Sequence, residues 1–246
     1  LHYPLRRQRQ MCIRDSKKAG IHTQYILTSE SEETGQAFIT VDEAGQNTIL
    51  VYGGANMTLS ATDVEMSVDA FIGADFVVAQ LEVPFEAIEQ AFKIARKQNI
   101  TTVLNPAPAI ELPKSLLELT DIIIPNETEA ELLTGISINN ESDMKETATY
   151  FLDLGISAVL ITLGEQGTYC AYQEQYKMIP ACNVKAIDTT AAGDTFIGAF
   201  LSELNKDLSN LESAIRLANQ ASSLTVQRKG AQASIPTRKE VEAEYN

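Results

Sequence analysis

Two short runs near the start of the chain are rich in β-branched and aromatic residues. The runs 37–42 and 47–54 flank a stretch, 43–46, that contains a glycine. This pattern predicts a β-hairpin, and the alternation within it is typical of a sheet with one face toward water. Residues 60–63, with the sequence SATD, predict the capped start of a short helix.

From residue 76 onward, short apolar runs alternate with segments whose apolar residues recur at helical spacing. The runs predicted as buried strands are 76–82, 100–105, 121–125 and 157–164, followed by an antiparallel pair at 167–172 and 176–181. The segments predicted as helices are 84–98, 113–120, 126–134, 142–154, 193–204 and 210–227. This order predicts an α/β fold with a doubly wound, mostly parallel sheet and helices on both faces.

Polar residues follow the ends of several predicted strands. In sheets of this kind, ligands bind outside the carboxyl ends of the strands. The residues placed there are Glu82, Asn105, Asn126, Thr162 to Gly164, and Asp188. We therefore expect the functional site at this edge.

Residues 188–194 read DTTAAGD and lead directly into a helical pattern. Small side chains leave the backbone N–H groups of a helix start open to an anion, where unpaired donors and the positive end of the helix dipole converge. Asp194, in the first turn, is placed to take a proton from a hydroxyl group. The alternative is that Asp194 only caps the helix. The Thr-Ala-Ala approach favours the catalytic interpretation.

Three further strand-end features have a structural as well as a functional interpretation. Gly164 and Gly167 form either an ordinary hairpin turn or the support for a nucleotide. Asn126 and Glu129 form either a capping box or a group that orients phosphates and a hydrated Mg²⁺. Glu82 ends a buried run, where a charge usually meets a hydroxyl, an amide or a cation. The chain contains neither GxGxxG nor GxxxxGK[ST], so the usual dinucleotide and P-loop fingerprints are absent.

Composition excludes several classes of protein. The chain has 246 residues, enough for one large α/β domain or two small ones, and a formal net charge of −14 that argues against a nucleic-acid surface. No apolar run approaches the roughly 18 residues that a membrane helix needs. Cys12, Cys170 and Cys182 show no metal-binding spacing, and their sparse, odd number is typical of a reducing compartment. We expect a cytoplasmic protein.

Residues 1–18 differ in charge from the rest of the chain. They contain six Lys or Arg side chains and one acidic side chain, and they show neither helical nor strand periodicity. The segment is either a basic arm for an acidic partner or a leader foreign to the fold, and we favour the leader.

Five motifs, in the same order along the chain, resemble segments of the ribokinase-like (PfkB-type) carbohydrate kinases. They are NPAPA at 105–109, DIIIPNETEAELLTG at 121–135, LITLGEQG at 160–167, DTTAAGDTFIGAF at 188–200 and RKGAQAS at 228–234. The resemblance runs from about residue 20 to the C-terminus. It implies one kinase domain at 20–246, in which 37–54 are part of a small β lid, preceded by a leader at 1–19.

The resemblance implies ATP-dependent phosphorylation of the primary hydroxyl of D-ribose. Asp194 would be the catalytic base and would also bind the sugar together with Glu82. The anion hole would consist of Ala191, Ala192 and Gly193. The ATP site would be lined by Asn126, Thr162, Leu163, Gly164, Glu165, Gln166, Gly167, Gly193, Asp194 and Asn219.

The same resemblance implies two kinds of metal ion and a partner. Mg²⁺ would accompany ATP, with Glu129 acting on it indirectly. A monovalent cation, usually potassium in this family, would bind beside the anion hole at Asp188, Thr190, Thr225, Arg228, Gly230 and Ser234. The β lid would also be the surface of a homodimer.

One part of the family pattern has no match. Members begin with a strand that carries sugar-binding Asn and Asp residues, followed by a GGKGAN-type stretch, and neither occurs here. We therefore expect a chain that lacks the N-terminal strands. The alternatives are a related sugar or nucleoside kinase of this family, or a nucleotide-binding or dimerisation module without activity. A Rossmann oxidoreductase is disfavoured by the missing glycine fingerprint.

Overall fold

The computed structural model describes residue 13, residues 15–41 and residues 47–245. The predicted hairpin turn at 43–46 and most of the predicted leader lie outside these residues. The chain divides into two compact units. One contains residues up to 74 together with 81–94, and the other contains 75–80 together with 95 onward.

The first unit contains a two-stranded antiparallel sheet. Strands β1 (Gln36–Val41) and β2 (Asn47–Tyr52) pair so that Phe38 lies opposite Leu50. Leu50 and its neighbour Val51 point to opposite faces, and both are at least half exposed. The prediction of a single water-facing side is therefore wrong for the described residues, since apolar residues on both faces of this two-stranded sheet are exposed.

Short helices complete the first unit. These are α1 (Ala61–Met66), the 3₁₀ turns Gly54–Thr58 and Val68–Phe71, and the start of α2 (Phe85–Lys97). The predicted cap at Ser60 is confirmed, since its hydroxyl accepts a hydrogen bond from Asp63 N and the Asp63 carboxylate accepts one from Ser60 N.

The second unit is built on a six-stranded sheet with the strands in chain order. They are β3 (Phe76–Ala79), β4 (Thr101–Leu104), β5 (Ile122–Ile123), β6 (Ala158–Thr162), β7 (Gly167–Tyr172) and β8 (Gln175–Pro180). Strands β3 to β6 are parallel, and β7 and β8 add an antiparallel edge. The predicted fold class, a mostly parallel α/β sheet, is confirmed.

Helices cover both faces of this sheet. They are α3 (Lys114–Glu118), α4 (Glu127–Thr134), α5 (Glu141–Asp153), α6 (Ala192–Glu203), α7 (Leu211–Thr225) and α8 (Arg238–Tyr245), with 3₁₀ turns at Gly164–Gln166 and Gln232–Ser234. Successive strand residues point to opposite faces, so Ile122 packs with Phe200 of α6 while Ile123 packs with Phe151 of α5. Within the described residues, no helix is long and apolar enough to cross a bilayer.

One predicted strand boundary is wrong, and one helix of the structure is missing from the sequence predictions. Strand β3 ends at Ala79 rather than at 82, so Glu82 lies in a bend beyond the strand. Helix α8 was not predicted, although Thr237 and Glu240 form the T-x-x-E capping box that marks a helix start.

Candidate active site

The backbone at the start of α6 is arranged to leave N–H groups free. Ala191 adopts a left-handed conformation (φ 63°, ψ 11°), and the helix begins at the next residue. Thr195 N donates to Ala191 O at 2.9 Å, and Ala192 N donates to Thr189 O at 3.2 Å. Within the described part of the chain, the N–H groups of Gly193 and Asp194 have no acceptor. Of the three predicted anion-hole residues, Ala192 thus has its N–H engaged and Gly193 has it available.

Space is also left open at Gly193. Among the described residues, a Cβ atom built on Gly193 would meet no heavy atom from another part of the chain within 4 Å, and the φ of Gly193 is not in the left-handed region. Neither packing nor backbone conformation therefore requires glycine here. What glycine leaves is a bare backbone, which allows an anion to approach the free N–H groups.

The Asp194 carboxylate does not cap α6. The residue at the cap position is Ala191, and no side chain makes a capping bond there. Asp194 is exposed, and its Oδ1 accepts a hydrogen bond from Gln80 Nε2 at 3.2 Å. Its second oxygen has no partner among the described residues, so the carboxylate retains an open position for a hydroxyl proton.

Asp188 joins the loop before α6 to the turn after α7. Its Oδ1 accepts from Thr190 N and its Oδ2 from Gly230 N, both at 3.0 Å. Hydrogen bonds from the Thr190 side chain and from the N–H groups of Gly230 and Thr190 lower the pKa of Asp188 from 3.8 to about 2. Asp188 is therefore ionised at neutral pH.

The other residues predicted to bind a monovalent cation surround this junction. Thr225, at the end of α7, donates through Oγ1 to Thr195 Oγ1 at 3.0 Å, and its carbonyl accepts from Arg228 N. Buried Ser234 donates through Oγ to Ala231 O, and Arg228 pairs with Glu240 at 2.7 Å. The structure thus brings two distant segments of the chain together beside the start of α6, through the bonds from Gly230 to Asp188 and from Thr225 to Thr195.

Asn126 and Glu129 form a complete capping box at the start of α4. Asn126 Oδ1 accepts from Glu129 N at 2.8 Å, while the two Glu129 oxygens accept from Asn126 N and Nδ2 at 2.8 and 2.9 Å. Glu129 is only 6% exposed, and burial raises its pKa above 4.5 despite the hydrogen bond from Asn126 N. The structural interpretation of this pair is confirmed. It does not exclude the functional one, because Asn126 itself is exposed.

The turn from β6 to β7 lies next to Asn126. Thr162 and Asn126 form a parallel β-bridge, and Leu163 N donates to Gly167 O at 2.8 Å to close the turn. Gly167 has φ 114°, and a side chain there would collide with the Ile179 carbonyl oxygen. Glycine is therefore required at this position by the fold.

Asn219 supports the same turn from α7. Its Oδ1 accepts from Thr168 Oγ1 at 3.0 Å, and its Nδ2 donates to the carbonyls of Ile179 and Pro180 at 3.1 and 3.2 Å. All of its donor and acceptor groups are thus engaged with β7 and β8.

The model of the pfkB family carbohydrate kinases matches residues 8–238. The chain belongs to this family.

Named relatives of this pfkB kinase include ribokinases. The ribokinase of Staphylococcus aureus (strain COL) is 62% identical over 93% of this chain and 75% of its own length, and that of Haemophilus influenzae is 45% identical over 90% and 72%. A solved structure of Arabidopsis thaliana ribokinase, complexed with ribose and ATP, superimposes with a TM-score of 0.81 at 33% identity and covers 91% of this chain and 73% of that one.

Two polar residues at strand ends complete the description of this pfkB kinase. Glu82 belongs to the first compact unit, where it is exposed in the bend after β3. Gln80 directly follows β3 and contacts both Asn105 and Asp194, a role that sequence reasoning missed. The sequence does contain one sign of this contact, because Gln80 is the one amide side chain in the apolar run 76–82. The pattern of that run predicts a strand through all seven residues and so hides the strand end before Gln80.

Proposed function

We propose that this protein transfers the γ-phosphoryl group of ATP to the primary hydroxyl of D-ribose and forms D-ribose 5-phosphate. The observation that supports this most directly is the first turn of α6, which contains both the Asp194 carboxylate, with one oxygen unbonded, and two N–H groups without an acceptor among the described residues. The choice of sugar is supported by the similarity to ribokinases, at up to 62% identity.

The proposed reaction divides the chemistry between Asp194 and the helix start. Asp194 accepts the proton of the sugar hydroxyl while its oxygen attacks the γ-phosphorus. The new O–P bond forms as the bond between the γ-phosphorus and the bridging oxygen of ADP breaks, and ADP leaves with that electron pair. The backbone N–H groups of Gly193 and Asp194 stabilise the charge on the transferred group. Glu82 is proposed to hydrogen-bond the sugar.

The nucleotide is proposed to lie over the carboxyl ends of β5 and β6. Asn126 and the turn Thr162–Gly167 are neighbours there through the bridge between Asn126 and Thr162. Asn219 contributes by holding the strands beneath this turn, since its amide is already occupied by backbone and Thr168 partners. Gly164, which has φ 53° and open space at its missing Cβ, leaves this side of the turn without a side chain.

The residues present fit Mg²⁺ only as an ion carried by ATP. Among the described residues, no three His, Cys, Asp or Glu side chains come together, so the protein does not provide a closed cage. Glu129 is the carboxylate that would hold a water molecule of the hydrated ion. When bound, Mg²⁺ neutralises charge on the phosphates.

The junction at Asp188 fits a monovalent cation. An ionised carboxylate, the hydroxyl of Ser234 and the carbonyls of the two joined segments are oxygen ligands of the kind such ions prefer. We propose that Asp188, Thr190, Thr225, Arg228, Gly230 and Ser234 hold potassium. The ion would add positive potential beside the start of α6 and would stabilise the conformation of the loop 188–190 that precedes this helix.

The proposed function is tested by identifying the product. The protein is incubated with MgATP, KCl and D-ribose, and the mixture is followed by ³¹P NMR without proton decoupling. Phosphate on the 5-hydroxyl is flanked by two protons and gives a triplet, whereas phosphate on carbon 1 gives a doublet. We expect the triplet, together with one ADP per sugar phosphate. ADP formation without any sugar phosphate would contradict the proposal.

Two finer points are also proposed. The exposed hairpin residues Phe38, Leu50 and Tyr52 share one face of the two-stranded sheet and form an apolar surface that suits a homodimer through the β lid. Sedimentation velocity tests this, and a monomer at every concentration would contradict it. The free thiols of Cys170 and Cys182, together with the use of ATP, support a cytoplasmic location, which fractionation of cells can test.

A further inference from the structure

Gln80 lies between the strand ends and the start of α6. Its Nε2 atom donates one hydrogen bond to Asn105 Oδ1 at 3.0 Å and another to Asp194 Oδ1 at 3.2 Å. Both hydrogens of the amide nitrogen are thereby assigned. Asn105 is fixed next to Gln80 because its backbone N–H continues the pairing of β3 with β4 by donating to Ala79 O at 2.9 Å.

The orientation of both amide groups follows from a single backbone carbonyl. Asn105 Nδ2 donates to Ile124 O at 2.8 Å, and a carbonyl oxygen can only accept. The Asn105 amide must therefore turn its nitrogen to Ile124 and its oxygen to Gln80. Gln80 must in turn present its nitrogen to that oxygen, and the second hydrogen of the same nitrogen then points to Asp194. The series ends at the carboxylate, which also only accepts when it is ionised.

We propose that Gln80 is a positioning residue that fixes the Asp194 carboxylate in the orientation for proton transfer, with Asn105 fixing Gln80. This inference rests on the proposed function, in which Asp194 takes the proton of the sugar hydroxyl. Asp194 is exposed and has no other hydrogen-bond partner among the described residues, so without Gln80 its side chain is free to rotate. Gln80 occupies Oδ1 and leaves Oδ2 for the substrate.

The expected size of the effect follows from what positioning contributes. A displacement of about 1 Å at a reacting group can reduce a rate by about 10²-fold. Replacing Gln80 by methionine keeps the length of the side chain and removes the donor. We expect kcat to fall by about 10- to 100-fold, with the KM for ATP unchanged because the hydrogen bonds of the Gln80 side chain go to Asn105 and Asp194 and not to the turn 162–167.

The test is a cycle of four proteins, comprising the unchanged chain, Gln80→Met, Asp194→Asn and the double variant. If Gln80 acts only through the Asp194 carboxylate, Gln80→Met lowers kcat in the unchanged chain and has no further effect in the Asp194→Asn background. Equal fold losses in both backgrounds would overturn the proposal, because Gln80 would then act independently of Asp194. An unchanged kcat for Gln80→Met alone would overturn it as well.

Further variants separate positioning from a loss of stability. Gln80→Glu keeps the shape but replaces the donor by a second carboxylate facing Asp194, and we expect a lower kcat than for Gln80→Met. The reverse order would overturn the proposal. The matched control is Gln90→Met, since Gln90 Nε2 also donates to a carboxylate, Glu65 Oε1 at 2.9 Å, but on α2 and α1. We expect the control to keep the full kcat, and melting temperatures are recorded for every variant.

The cycle also separates this inference from the proposed function. If Asp194→Asn alone keeps the full kcat, the proposed role of Asp194 fails, whatever Gln80 does. If Asp194→Asn loses activity while Gln80→Met does not, the proposed function stands and only the role of Gln80 fails.

Discussion

Gly193 and Gly167 show two different reasons for a glycine at one site. Gly167 has φ 114° and lies against the backbone of β8, so the fold itself excludes a side chain. Gly193 has an ordinary helical conformation with open space around its missing Cβ. A glycine that neither packing nor φ requires is more informative about function, because a bare backbone is what an anion needs in order to reach the N–H groups.

Gly193→Ala should therefore separate stability from activity. We expect the melting temperature to stay the same or rise slightly, because alanine is a better helix former than glycine. The new methyl group would lie where the anion approaches, and losing access to such a donor typically lowers kcat by about 10²–10³-fold.

Gly198→Ala is the matched control for this experiment. It lies about one turn further along α6, also with no atom near its missing Cβ. We expect it to gain about 0.5–1 kcal/mol of stability and to keep full activity. Equal activity in Gly193→Ala and Gly198→Ala would contradict the proposed anion hole.

Asp188 should make stability depend on pH in the acid range. Its folded pKa of about 2 lies below the ordinary value of 3.8, so its stabilising effect is complete above about pH 4 and is lost as pH falls toward 2. We expect Asp188→Asn to have a lower melting temperature than the unchanged protein at pH 5. The difference between the two melting temperatures should become smaller as the pH is lowered to 2.5.

The control for Asp188 is Asp153→Asn. Asp153 is exposed at the end of α5 and has no hydrogen-bond or ion-pair partner in the described part of the chain. If the melting temperature of Asp188→Asn differs from that of the unchanged protein by the same amount at pH 5 and at pH 2.5, the bonds from Thr190 and Gly230 do not stabilise the ionised form of Asp188.

At the scale of single elements, two helix starts use an asparagine cap in different surroundings. Asn126 caps α4 beside the turn 162–167, and Asn140 caps α5 by accepting from Ser142 N and Asp143 N. Both asparagine side chains accept hydrogen bonds from backbone N–H groups that the helix leaves unpaired, and each such cap contributes about 0.5–2 kcal/mol to the free energy of unfolding. Of the two, Asn126 is the one that belongs to the proposed nucleotide site.

Asn126→Ala and Asn140→Ala should consequently differ in ATP affinity. We expect both to lose about 0.5–2 kcal/mol of unfolding free energy, and Asn126→Ala to lose more because buried Glu129 is left without the amide partner. Titration calorimetry with MgATP should show weakened binding for Asn126→Ala alone. Equal affinity in the two variants would mean that Asn126 is only a cap.

Element types followed from the sequence more reliably than element ends did. The buried runs around Ile122 and Leu160 are apolar on both sides, which is typical of a central parallel strand, and the structure confirms them. The end of β3 was misplaced because Leu81 continues the apolar pattern beyond the last ladder pair at Ala79. A strand ends where its backbone pairing with the neighbouring strand ends, even if the apolar pattern continues.

The candidate site was only partly accessible to sequence reasoning for a similar reason. The groups at the start of α6 were found because a local motif contains them. Gln80 was missed because its partners, Asn105 and Asp194, are 25 and 114 residues away in the chain. Contacts of that range are created by the order of strands in the sheet, which no local pattern reveals.

At the scale of the whole molecule, the parallel sheet gathers distant segments at one edge. Strand ends at 80, 105 and 126 meet there, and the loop at 188–190 is tied to the turn at 230. The proposed cation site exists only through this convergence. An ion bound there should therefore affect turnover at α6 although it does not take part in the chemistry.

We accordingly expect activity to depend on potassium. Replacing KCl by tetramethylammonium chloride at the same ionic strength should lower kcat, because the methyl groups of the organic cation keep oxygen ligands away from its charge. Asp188→Asn should reduce both the rate and its response to potassium. A rate that is the same in both salts would remove the cation site from this account.

The central claim is that Asp194 takes the proton of the sugar hydroxyl, and Asp194→Asn tests it most directly. Asparagine keeps the size of the side chain, and the carboxylate makes no capping bond, so the melting temperature and the affinity for MgATP should hardly change. Loss of a general base typically lowers a rate by about 10²–10⁴-fold, and we expect kcat for D-ribose to fall by that factor. If Asp194→Asn phosphorylates D-ribose with an unchanged kcat, the start of α6 is not the catalytic centre.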